Sequence, residues 1–138
     1  MKAFLLVIFC FFCMASFTTN EILNKKYNLN VEAKGCHYKI SLNGQVIEEG
    51  KTYSRVFKNI NLEKLLNDSV EQKIDVMIYR ISREMTLKST QAYLNLKLEK
   101  GHGDSLELIK EIKLPTFPYD DDAQQPSSIG GSINFHLK

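Results

Sequence analysis

From Tyr27 onward the chain repeats with a period of two. In "YNLNVEA", Tyr27, Leu29, Val31 and Ala33 share one parity, and Asn28, Asn30 and Glu32 the other. Successive side chains of an extended strand point to opposite faces, so this spacing predicts a strand with one buried face. "CHYKISL" repeats the pattern, with Cys36, Tyr38, Ile40 and Leu42 against His37, Lys39 and Ser41. So does "STQAYLNLKLEKG", where Ala92, Leu94, Leu96 and Leu98 alternate with Tyr93, Asn95, Lys97 and Glu99. Leucine is also a good helix former, and a helix is the competing reading there; the strict two-residue period favours the strand. "SINFHLK" closes the chain in the same way, with Ile133, Phe135 and Leu137 opposite Asn134, His136 and Lys138.

The segments between these runs supply turns and further strands. Asn43-Gly44 follows "CHYKISL", and both residues tolerate the positive φ of a type I′ hairpin turn. "QVIEE" is then the returning strand. In "TYSRVFKNI", Tyr53, Arg55 and Phe57 oppose Ser54, Val56 and Lys58, an imperfect alternation. "NLEKLLND" predicts a short helix near residues 61–67, capped by Asn61, with Leu62, Leu65 and Leu66 on one face. "VEQKIDVMIYRIS" carries apolar residues on both parities, which places that strand centrally in a sheet. In "SLELIKEIKL", Leu106 and Leu108 share one parity, and Ile112 and Leu114 share it again. Ile109 breaks the pattern and marks a bulge or a central position. Residues 115–131, "PTFPYDDDAQQPSSIGG", have no period and read as a long surface loop. The total is about eight strands with regularly spaced turn signals, an all-β antiparallel sandwich with a closed barrel as the alternative.

The N-terminus has a different character. Lys2 is followed by an uncharged, mostly aliphatic and aromatic run over residues 3–14 and then by Ala15 and Ser16. That order is the order of a secretory signal peptide cut after Ala15 or Ser16, and the run is too short to cross about 30 Å of hydrocarbon. Residues 1–16 are therefore read as a signal, residues 17–26 as a polar leader and residues 27–138 as one domain. A retained N-terminal anchor is the alternative. No other stretch is long and apolar enough to insert stably in a membrane. The expected destination is the periplasm or the extracellular space. Of the three cysteines, Cys10 and Cys13 leave with the signal. Cys36 is then alone, so no internal disulfide and no thiolate zinc site is expected.

Charge excludes further classes. Lys and Arg total 18 against 16 Asp and Glu, and no clustered basic face points to nucleic acid. Cys36 and His37 are neighbours on a strand and point to opposite faces, so they make no catalytic pair. His37, His102 and His136 lack short ligand spacings, and no metal or cofactor is expected. The chain has no nucleophile elbow, no His-Glu-x-x-His helix and no phosphate-cradling glycine loop, so no catalytic residue is assigned. Glu48 and Glu49 point apart on a strand. The candidate partner-binding residues are Phe117 and Tyr119, which flank Pro118, together with Asp120, Asp121 and Asp122. Exposed rings suit a protein contact or sugar stacking.

From Tyr38 to Tyr79 the chain reads "YKISLNGQVIEEG" and then "NINLEKLLNDSVEQKIDVMIY". This stretch resembles the jelly-roll domains of the galactose-binding-like class, where a strand ends in an Asn-Gly turn, a crossing segment and a short leucine-bearing turn follow, and an apolar strand returns. The resemblance implies a jelly-roll-like sandwich. It carries over no sugar site, because "NDSVEQK" has no glycine where the family has Gly-x-Asn, and the chain has no tryptophan. The expected function is an exported, non-catalytic binding protein acting through a macromolecular partner, with a protein as the leading reading and a glycan as the other. Its alternatives are a carbohydrate- or surface-binding accessory domain and a periplasmic immunity-type inhibitor of a toxin. A hydrolase with an unrecognised site is the contrasting class.

Overall fold

The computed structural model describes residues 26–82, 87, 91–116 and 126–137. These form eight antiparallel strands: β1 (Lys26–Lys34), β2 (Cys36–Leu42), β3 (Gln45–Thr52), β4 (Val56–Asn61), β5 (Glu71–Tyr79), β6 (Tyr93–His102), β7 (Ser105–Leu114) and β8 (Ser128–His136). They pack as two four-stranded sheets. Sheet A has the order β4-β1-β6-β7 and sheet B the order β3-β2-β5-β8. The β-sandwich expected from the period of two is therefore the fold. Within the described residues, no helix is long and apolar enough to cross a membrane.

The predicted parities become the two inner faces. Leu29, Ala33, Leu94, Leu96 and Leu98 from sheet A and Ile40, Ile74 and Ile78 from sheet B are fully buried. β5 lies between β2 and β8, the central place its two apolar faces call for. Cys36 is buried with its Sγ 3.5 Å from the Tyr93 carbonyl. Burial pushes its thiol up to about 11, so it stays protonated at neutral pH. Its neighbour His37 faces out and lies 2.9 Å from Glu49. Glu48 and Glu49 do point apart: Glu48 turns between the sheets toward Lys58, at the seam of edge strands β3 and β4. Tyr38 packs beside that pair, and its hydroxyl donates to Glu48 at 3.4 Å.

The β2–β3 turn is made as expected, with φ of 50° at Asn43 and 83° at Gly44. Asn43 also reaches β5. Its N–H donates to the Lys73 carbonyl at 2.8 Å, and its Oδ1 accepts the Lys73 N–H at 2.9 Å.

Three expectations are corrected, and the break at Ile109 resolves as a bulge. Residues 61–67 form no helix. Leu65 and Leu66 donate their N–H groups back to the Leu62 carbonyl, and the turn stops there. Leu62 is pinned in the core by its own N–H bond to the Tyr27 carbonyl at 2.9 Å, and a single turn has too few bonds to propagate. The loop predicted over residues 115–131 ends sooner, because β8 begins at Ser128 and Gly130 and Gly131 pair with Met77 and Val76. The leader predicted over residues 17–26 gives up Lys26, which pairs with Gly101; residues 1–25 lie outside the described residues. Leu106 and Leu108 face outward, about half exposed. Ile109 is an extra residue in β7: Leu98 pairs with Lys110 and Glu99 with Leu108, so the parity flips across this bulge.

Candidate functional site

Asparagine is a poor strand former, yet five of them line the outer face of sheet A. The register sets two pairs directly opposite each other, Asn28 with Asn61 and Asn30 with Asn59. Asn95 lies opposite Glu32 on the neighbouring strand. Three rows cross the sheet from β4 to β7: Asn61, Asn28, Glu99, Leu108; then Asn59, Asn30, Lys97, Glu111; then Phe57, Glu32, Asn95, Lys113. Sequence reasoning put Asn28, Asn30 and Asn95 on the polar parity and missed the ladder. The signal was local, in "YNLN" and "KNIN", but pairing these strands needs the register.

The carboxamides are oriented by a carboxylate. Glu99 only accepts, so Asn30 turns its Nδ2 to Glu99 Oε2 at 2.7 Å. That leaves Asn30 Oδ1 to accept from Asn59 Nδ2 at 2.5 Å. The relay uses one donor and one acceptor of Asn30 and one donor of Asn59. Each carboxamide and the Glu99 carboxylate therefore keep further hydrogen-bonding capacity. Around them runs an open groove of about 510 Å³, lined from β4, β1 and β6 by Phe57, Asn59, Asn30, Glu32, Asn95, Lys97 and Glu99 among others.

Glu32 ties this groove to a second depression of about 470 Å³, bounded by Arg55, Tyr93, Asn95, Lys113 and Pro115. Glu32 Oε1 accepts from Arg55 Nε at 2.7 Å and from Tyr93 Oη at 2.9 Å. Partial burial pushes the Glu32 carboxyl up. The bonds from Arg55, Tyr93 and Asn95 and the Arg55 charge outweigh it and hold the carboxyl below the ordinary glutamate value. Glu32 is thus a fixed, charged acceptor at neutral pH. The Arg55 guanidinium also sits 4.7 Å from the centre of the Phe57 ring; Phe57 is 66% exposed. Glu111 lies 3.5 Å from Lys113 and 3.9 Å from Lys97.

The sign of the Glu32 shift sets a pH test. A depressed carboxyl contributes stability above its unfolded value and loses it as pH falls through its folded value. Glu32→Gln is therefore expected to cost about 1 kcal/mol or less at neutral pH, since Arg55 is well solvated. The gap to wild type should close on acidification below the ordinary glutamate range. Urea midpoints across the acid range check this; a gap that widens in acid is the contrary result.

The sequence-predicted residues Phe117, Tyr119, Asp120, Asp121 and Asp122 lie outside the described residues. They belong to the connection that leaves β7 at Leu114 and enters β8 at Ser128. His37, His102 and His136 are not gathered: His37 lies on the outer face of sheet B, near Glu49 and Tyr79. Among the described residues, no group of three His, Cys, Asp or Glu side chains could hold a metal. Comparison with family models, curated proteins and solved structures finds no match.

Proposed function

We propose that this protein is an exported, non-catalytic binding domain that holds a macromolecular partner on the outer face of sheet A. The observation that carries the reading is the pair of directly opposed asparagines, Asn28 with Asn61 and Asn30 with Asn59. Four poor strand formers placed face to face work against local preference, and such conflicts concentrate where function overrides it. The electrostatics support binding over proton transfer. Glu32, the carboxylate where the groove meets the second depression, is held ionised by Arg55 and Tyr93, whereas a general acid needs a raised value. The leader that reads as a secretory signal supports export.

Side-chain amide NMR of the ¹⁵N-labelled protein tests this directly. Protein and polysaccharide fractions of the source cells' surface are titrated separately. The expected result is a saturable shift of the Asn30, Asn59 and Asn95 amide signals with at least one fraction. Saturable shifts confined to the outer face of sheet B, or no shift with either fraction, would overturn the assignment.

A further inference from the structure

We propose that the partner held on this face is a neutral glycan, laid across β4, β1 and β6; this rests on the reading of the face as a binding surface. The first argument is donor and acceptor chemistry. A sugar presents adjacent hydroxyls, each both donor and acceptor. A carboxamide matches them with one group of each kind, and a carboxylate accepts from two hydroxyls at once. The Asn59, Asn30 and Glu99 relay sets these groups side by side on neighbouring strands, about 4.8 Å apart. The relay already fixes the amide orientations, so little side-chain freedom is left to lose on binding.

The second argument is charge. Glu32, Glu99 and Glu111 of the three rows are offset by Lys97 and Lys113 of the same rows and by Arg55, just before β4, and most of these are paired with one another. A face compensated in this way offers no field to a polyanion or a strongly basic peptide. The third argument is the place of the apolar surface. The centre of a protein interface is depleted in charge and rich in aromatic anchors. Here the centre is carboxamide and charge, while the exposed ring Phe57 stands at one margin and the half-exposed Leu106 and Leu108 lie on edge strand β7 at the other. Its position suits stacking against the C–H face of a sugar ring at one end of the groove.

Calorimetric titration of the purified protein with neutral hexasaccharides of glucose, mannose, galactose and N-acetylglucosamine tests the proposal, with a sulfated oligosaccharide as the charged control. At least one neutral hexasaccharide is expected to bind saturably, with an affinity that changes little from low to high salt. Asn30→Ala is expected to weaken it about tenfold. Phe57→Ala, at an exposed position outside the core, should weaken it with unchanged thermal stability and so separates binding from folding. If no neutral hexasaccharide binds while a protein fraction shifts the same asparagine amides, the glycan assignment is overturned and the binding face stands. If nothing shifts those amides, both fall.

Discussion

Leu29→Ala is expected to destabilise the protein by about 2–5 kcal/mol, a large share of what holds a domain of this size together. Leu29 is fully buried on β1, an inner strand of sheet A. In register it is flanked by Ile60 of β4 and Leu98 of β6. Both neighbours are held by their own ladders, so the space left by the lost methyl groups cannot close easily, and the cavity cost adds to the transfer cost. Leu108→Ala is the matched control. By sequence parity both leucines belong inside, and the two substitutions should cost the same. In the structure Leu108 is about half exposed on the outer face, and its replacement is expected to stay within about 0.5 kcal/mol of wild type. Urea unfolding of both variants decides it. Equal losses would place Leu108 in the core and remove the bulge at Ile109.

That contrast shows where the sequence stops being informative. Strands β1, β2 and β6 are legible because one face of each meets water and the other the core, and the alternation survives intact. The Asn43-Gly44 turn is legible because few residue pairs tolerate positive φ twice. A single unpaired residue is enough to reverse a parity, as Ile109 does, and the sequence announces it only as a break in pattern. Glycine misled in the other direction. Gly130 and Gly131 resemble loop residues, yet a side chain at Gly130 would run into Met77, while Ile112 and Leu114 lie 3.5 Å from where a Cβ at Gly131 would sit. Glycine at 130 leaves room for the Met77 side chain, and a Cβ at 131 would meet Ile112 and Leu114 at ordinary contact distance. The helix predicted over residues 61–67 failed because its leucine spacing is real but serves a crossing turn. The asparagine ladder was hidden for another reason. Its members come from β1, β4 and β6, separated by whole strands, and only the register makes them neighbours.

Gln72→Leu is the second large effect, expected to cost about 2–3 kcal/mol because a buried side chain loses several hydrogen bonds at once. Gln72 is fully buried although polar. Its Oε1 accepts from Asn43 Nδ2 at 2.6 Å and from the Asn67 N–H at 3.4 Å. Its Nε2 donates to Asn67 Oδ1 at 2.6 Å and to the Ser69 carbonyl at 2.5 Å. One side chain therefore joins the β2–β3 turn and the 62–70 crossing to β5. Leucine fills similar space and satisfies none of these groups. Gln72→Glu separates shape from hydrogen bonding. Ionised, it would face Asn67 Oδ1 and the Ser69 carbonyl, so its carboxyl should be raised well above the ordinary range in the folded state and remain protonated there. A raised group contributes its stability fully below the unfolded value and loses it as pH rises toward the folded value, by about 1.4 kcal/mol per pH unit between the two. The variant should approach wild type in acid and fall away toward neutrality, the opposite slope to that of Glu32. A Gln72→Glu stability that does not depend on pH would mean that the donor on Gln72 does not hold the crossing in place.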